Sequence, residues 1–348
     1  IYTKKCHSFF EDTYGFKKTF LTTSCTDAIE MASLLMDLNE GDEVIMPSYT
    51  FVSTTSPFIL RGAKIVFADS LNNHPNIDLD NVENLITKKT KVLLVMHYGG
   101  VSVDMDKALE LCQKYDLILV EDAAHSIDSY YKGKPLGSFG DFATFSFHET
   151  KNINSGEGGL LVINDSKNIK RAEIVWEKGT NRSEFSRGEV DKYEWVDVGG
   201  SYSPSEIIAA FLYAQLTHIK DIQKTRKDIW ERYYLNLFPL AEKGLIQIIK
   251  LPEFATNNGH LFYILAKDKK QRDELLDYLN NNMVHAVFHY LPLHSSPYYS
   301  TYHDGRMLPN TDKFADTLIR LPLFYELPLD IVDMICQKVE EFFTLKGK

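Results

Sequence analysis

Residues 91–124 read KVLLVMHYGGVSVDMDKALELCQKYDLILVEDAA, and this stretch decides the fold. It opens on a near-continuous apolar run that ends at His97-Tyr98, passes through a helix candidate at 104–115, and closes on a second apolar run that ends at Glu121-Asp122. Strands with apolar residues on both sides are buried on both faces, as in a parallel sheet covered by helices. DEVIMPS at 42–48 and AKIVFAD at 63–69 repeat the pattern upstream, with helix candidates at 27–38, 53–61 and 78–86. Functional groups in such sheets gather outside the carboxyl ends of the strands. Those ends carry Pro47-Ser48, His97-Tyr98 and Glu121-Asp122.

Downstream, YYKGKPLG at 130–137 reads as a turn or hairpin, and DFATFSFH at 141–148 and GGLLVIND at 158–165 as two more strands. From about residue 205 the character changes. A long helical stretch at 205–240 leads to strand-like LIQIIKLP (245–252) and LFYILAK (261–267), a helix at 270–282, HAVFHYL (285–291) and a last helix near 329–345. The pattern predicts an α/β fold: a large domain over 1–204 with a mostly parallel sheet, and a smaller α+β domain over 205–348. At 348 residues the length suits two such units. No internal repeat or low-complexity segment interrupts them.

The net charge of −10 argues against a nucleic-acid binder, whose footprint is a basic face. No apolar run approaches the ~18 residues that span a bilayer, and no signal-peptide pattern opens the chain. Cys6, Cys25, Cys112 and Cys336 are scattered without a CxxC pair, the usage of reduced cytoplasmic thiols, so no metal site is expected. The chain begins at Ile1 rather than Met, which implies an absent N-terminal piece.

Three segments carry chemistry. In LTTSCTDAIEMASLL (21–35) a strand-like run stops at small hydroxyl residues and a helix begins near Asp27. Its free N–H groups, with the Ser24 and Thr26 hydroxyls, could form a phosphate cradle; taken alone, a plain helix cap is the simpler reading of these residues. The glycine spacing of a P-loop or dinucleotide fold is missing. Asp122 ends a buried strand, where an ionised carboxylate needs a partner such as a cationic ring nitrogen, or else caps the next turn. Lys151, in TFSFHETKNINSGEGGLL (144–161), is either a surface residue or an amine that attacks carbonyls. Taken in order, cradle, aspartate and lysine match the phosphate, pyridinium and aldehyde of pyridoxal 5′-phosphate, with Lys151 forming an imine.

SCTDAIEMA, GDEVIMPSYTFVSTTSPFILRGAKIVFAD, EDAAHS, GSFGDFATFSFHETKN and GEGGLLVIND together resemble the sugar-nucleotide aminotransferases of the DegT/StrS type, over nearly the whole chain. FSFHETKN and the segment beginning WEKGTNRSEF look closest to the dTDP-4-amino-4,6-dideoxygalactose transaminases. The resemblance implies the aspartate-aminotransferase (type I) fold and a homodimer with active sites at the interface. It implies that Lys151 holds the cofactor covalently and shuttles a proton, and that Asp122 pairs with the pyridinium. His125, where many relatives have glutamine, would lie by the cofactor's phenolic oxygen, and Phe51 would stack on its ring. Ser24, Cys25, Thr26 and Ser146 would hold the phosphate. Many relatives add an asparagine from the partner subunit; in GGSYSPSEI (199–207) Ser201 takes that place. His148, Tyr290 and His294 are candidates for substrate contact, as are the basic residues Lys178, Arg182 and Arg187 for its pyrophosphate; packed or solvated side chains account for each at least as readily.

The implied reaction moves an amino group from L-glutamate to a dTDP-4-keto-6-deoxyhexose, in surface polysaccharide biosynthesis. Alternatives are amination at C3, a pyridoxamine-dependent dehydratase, and a non-catalytic sensor on the same fold. The dehydratases replace the lysine, typically by histidine, so Lys151 speaks against that route. A sensor is disfavoured by the intact set of three groups.

Overall fold

The computed structural model describes residues 1–346 other than 249. Strands β1 (Lys18–Thr22), β2 (Glu43–Pro47), β3 (Lys64–Ala68), β4 (Thr90–Met96) and β5 (Ile118–Asp122) come first. A short hairpin of β6 (Tyr130–Tyr131) and β7 (Lys134–Pro135) follows, then β8 (Phe142–Ser146) and β9 (Gly159–Ile163). Seven of these form one sheet in the order β1-β9-β8-β5-β4-β2-β3. Pairing is parallel from β8 through β5, β4 and β2 to β3, and only β9 runs against its neighbours.

Both faces of the sheet are buried, and the side chains sort by the period of two expected of strands. Val44, Met46, Ile65, Phe67, Val92, Leu94 and Val120 pack on one face with Ala28, Met31, Ala32 and Leu35 of the Cys25–Leu35 helix. Ile45, Val66, Leu93, Val95 and Leu119 pack on the other with Met105, Ala108, Leu111 and Cys112 of the Met105–Tyr115 helix. This double burial is why the apolar runs are continuous. Helix starts are set locally. Asp104 accepts a hydrogen bond from the Lys107 N–H at 3.3 Å, and Ser24 accepts one from the Asp27 N–H at 3.1 Å.

The second unit pairs β10 (Phe262–Leu265) antiparallel with β11 (Leu318–Leu321). Single bridges at Gln247–Leu265 and Val287–Arg320 are all that forms of the expected strands at 245–252 and 285–291, with position 249 outside the described residues. Helices Ile219–Glu242, Lys269–Asn281 and Leu329–Lys346 close a separate core around Phe262, Ile264, Ile319 and Leu321. The Glu206–Thr217 helix, however, packs in the first unit: Ala209, Leu212 and Leu216 share a core with Leu21, Ala143 and Phe145. Packing changes over along the Ile219–Glu242 helix, between Ile222 and Ile229, one helix beyond the boundary at 204/205 that composition suggests. Among the described residues no helix is long and apolar enough to cross a membrane.

Candidate active site

A cavity of about 540 Å³ opens at the carboxyl ends of the parallel strands, between the two units. That is the position the strand-end rule predicts, and the size of a cofactor-plus-substrate pocket. It is lined by Ser24, Cys25, Thr26, Phe51, Asp122, His125, Ser146, His148, Lys151 and Tyr290, which lie up to 266 positions apart in the chain.

The anion-binding end is built by backbone. Ser24 caps the Cys25–Leu35 helix, and the Cys25 and Thr26 N–H groups have no acceptor among the described residues. Two orphan donors at a helix N-terminus, beside the Thr26 and Ser146 hydroxyls, suit a phosphate. β9 runs directly against this turn. A Cβ on Gly159 would lie 2.3 Å from the Ser24 carbonyl oxygen and 2.5 Å from the Cys25 nitrogen, so only glycine permits the approach.

Two adjacent carboxylates end β5 and point to opposite faces. Glu121 is fully used: its oxygens accept from the N–H groups of Gly137, Phe139 and Gly140 at 2.8–2.9 Å and meet His97 Nε2 at 3.1 Å. Asp122 is not. Buried to 4% exposure, it accepts from Thr54 Oγ1 at 2.7 Å and from the Ala124 N–H at 3.1 Å. It takes part in no ion pair among the described residues, and the Lys151 amine feels its charge only from beyond ion-pair distance. A buried carboxylate without a counter-ion is costly, and a protonated ring nitrogen would supply one.

Lys151 lies on the turn after β8, its N–H bonded to the His148 carbonyl at 2.9 Å. Burial pushes its amine down to about 8; the charge of Asp122 opposes the shift, and that of Arg320 adds to it. A lysine partly neutral near pH 8 is a nucleophile in the sense the chemistry needs.

Around these groups stands a shell of neutral rings. The Gly99 N–H donates to His125 Nδ1 at 3.2 Å, which leaves Nε2 protonated toward the Tyr290 hydroxyl at 3.2 Å. His260 stacks on His125 at 4.2 Å and lines the same cavity. Asn152 spends its amide N–H groups on Gln223 Oε1 and the Asn258 carbonyl, so its Oδ1 accepts from His260 Nδ1 at 2.8 Å. His260 Nε2 is therefore the unprotonated nitrogen. Burial, then the charge of Lys151, holds both histidines well below their usual range.

Five candidates lie outside this chain's cavity: His294, Ser201, Lys178, Arg182 and Arg187. His294 does not face it: Nδ1 is bonded to Ser48 Oγ at 2.8 Å and Nε2 stands 3.6 Å from Asp312, so its ring is occupied by packing. Arg182 begins the exposed Arg182–Arg187 helix, and Ser201 is exposed and bridged to Glu177. Arg187, offered with Arg182 for a pyrophosphate, is ion-paired with Glu173 and Glu189. Sequence reasoning did not single out Thr54, His260 or Arg320. All three line the cavity.

Residues 2–340 match the model of the DegT/DnrJ/EryC1/StrS aminotransferase family. The chain is 30% identical over 346 residues to GDP-perosamine synthase of Escherichia coli O157:H7, covering 99% of this chain and 91% of that one. It is 32% identical over 340 residues to spore coat polysaccharide biosynthesis protein SpsC of Bacillus subtilis (strain 168), covering 94% and 86%. The crystal structure of an aminotransferase, TlmJ from Streptoalloteichus hindustanus, matches with a TM-score of 0.91 at 26% identity, over 99% of this chain and 91% of that one. The chain belongs to this family of pyridoxal-phosphate-dependent sugar aminotransferases. The orphan donors, the unpaired carboxylate and the depressed amine fit that cofactor.

Proposed function

We propose that the chain transfers an amino group from L-glutamate to the keto carbon of dTDP-4-keto-6-deoxy-D-glucose, giving dTDP-4-amino-4,6-dideoxy-D-galactose for a surface polysaccharide. The observation that carries this reading is the convergence of Lys151, Asp122 and the Cys25–Leu35 helix N-terminus on one cavity. The C4 position and the dTDP group rest on the resemblance of FSFHETKN and the WEKGTNRSEF segment.

When bound, pyridoxal phosphate supplies an electron-accepting ring that stabilises negative charge on the reacting carbon. The residues do the rest. Lys151 anchors the cofactor and moves the proton at the carbon that loses or gains nitrogen, a general acid–base role contributing ~10²–10⁴-fold. Asp122, held by Thr54 and the Ala124 N–H, keeps the ring nitrogen protonated. Cys25 and Thr26 N–H groups, with the Ser24, Thr26 and Ser146 hydroxyls, orient the phosphate. Phe51 covers the ring face and His125 addresses its phenolic oxygen. His148 and Tyr290 face the sugar. A second copy of the chain completes the site, with Ser201 reaching the phosphate and Arg182 the nucleotide. We place the homodimer in the cytoplasm, where its four free cysteines stay reduced.

The test is to incubate the enzyme with glutamate and, separately, dTDP- and GDP-linked 4-keto-6-deoxyhexoses. The reading predicts turnover of the dTDP sugar to the 4-amino product, and loss of at least ~10²-fold in Lys151→Arg, which retains charge but not the reactive amine. Turnover of the GDP sugar alone, amination at C3, or an active Lys151→Arg protein would overturn it.

A further inference from the structure

The residue after the lysine is as fully tied as Glu121. Asn152 is buried, and its two side-chain N–H groups go to Gln223 Oε1 at 2.9 Å and the Asn258 carbonyl at 2.8 Å. These partners fix the amide's orientation and turn Oδ1 to His260 Nδ1 at 2.8 Å. Asn258 repeats the device one layer back. Its Nδ2 donates to the His125 and Ile127 carbonyls at 2.7 and 2.9 Å, and its Oδ1 accepts from the His260 N–H at 3.0 Å. A Cβ on Gly100 would stand 2.2 Å from that Oδ1, so glycine there lets the chain close around it. Arg226 donates to the His260 carbonyl at 2.8 Å.

One polar atom of His260 is left over. Its N–H, carbonyl and Nδ1 have partners, while Nε2, bare because the ring proton is on Nδ1, meets no donor among the described residues, and the ring lines the cavity. An acceptor withdrawn from water costs free energy unless something donates to it. The charged and titratable groups facing the ring are Lys151, Arg226, Arg320, His125 and His289. None is an acid, so nothing holds a second proton on His260 and it stays an acceptor. Its neighbour selects the ligand group. Asn152 follows Lys151 directly, so a single amide separates His260 from the residue that moves the proton at the reacting carbon. The ligand group on that carbon is an amine, which when protonated has N–H donors only. We propose that His260 Nε2 accepts a hydrogen bond from the amino group in transit, and that Asn152 is the positioning residue that holds the ring in this tautomer. This rests on the transamination reading above and adds a binding residue to its donor step.

The test reads the ring and the reaction separately. In cofactor-loaded protein labelled with ¹⁵N-histidine, long-range ¹H–¹⁵N correlation should place the His260 proton on Nδ1, the signal being identified by its loss in His260→Gln. Asn152→Ala should let the proton exchange between the two ring nitrogens and slow the half-reaction with L-glutamate roughly 10- to 100-fold, with the cofactor still bound. Asn152→Asp keeps the acceptor but adds a charge that favours the imidazolium. Its half-reaction should be slow at low pH and recover as pH rises and His260 loses its second proton, whereas a merely structural defect is equal at every pH. A proton on Nε2 in the parent, an unchanged tautomer or half-reaction in Asn152→Ala, a pH-independent loss in Asn152→Asp, or a loss confined to the keto-sugar half overturns the assignment. Neither the tautomer nor the donor half-reaction needs a keto sugar, so failure of every keto sugar to react would sink the substrate reading and leave these measurements intact.

Discussion

Thr54 Oγ1 donates a 2.7 Å hydrogen bond to Asp122 Oδ2, and Thr54 is itself met by Thr50 Oγ1 at 2.8 Å. The carboxylate is thus oriented by neutral donors, with its charge left for a ligand. Asp122→Asn keeps the shape and removes that charge. A hydrogen bond to a charged group contributes ~1.5–3 kcal/mol, so the variant should bind pyridoxal phosphate roughly 10- to 150-fold more weakly. Equilibrium dialysis of the apoprotein measures it; an unchanged dissociation constant would show that Asp122 does not meet the ring.

Lys151 should titrate apart from the other lysines. Burial lowers its amine from 10.5 to about 8, so it is charged below that pH and nucleophilic above it. Competitive acetylation of the apoprotein, read by peptide mass spectrometry, should give half-maximal labelling of Lys151 near pH 8. Between about 8 and 10.5 the unfolded chain holds a proton that the native state lacks, so this group adds to stability as pH rises through that window. Labelling that follows the bulk lysines would contradict the buried placement.

Gly159→Ala tests the cradle without touching a polar group. The added methyl meets the Ser24 carbonyl and the Cys25 nitrogen well inside van der Waals contact, which forces β9 away from the helix N-terminus. Cofactor affinity should fall at least tenfold (about 1.4 kcal/mol), with the Arg320 side of the cavity unaffected. Normal affinity in a folded variant would place the phosphate elsewhere.

The sheet was legible because double burial writes continuous apolar runs, and the strand ends named Asp122 and Lys151. The elements left unread have weaker signatures. The Tyr2–Tyr14 helix has no side-chain cap, and only Cys6, Phe10 and Tyr14 mark its buried stripe. The Ile169–Trp176, Arg182–Arg187 and Pro309–Thr317 helices are nine residues or fewer, too short for a convincing period. β11 spans four residues directly after a helix. Arg320 and His260 enter the cavity from the second unit, 169 and 109 positions after Lys151. Only the fold brings them there, and nothing local in RLPLF or NNGHLF announces it.

The convergence of three distant groups on one ring is tested most directly by fixing the cofactor where it sits. Cofactor-loaded protein is reduced with borohydride, digested and mapped by mass spectrometry. The account predicts one phosphopyridoxyl adduct, on Lys151, and none in Lys151→Arg protein. An adduct on another lysine, or stoichiometric cofactor with no adduct at 151, would contradict it.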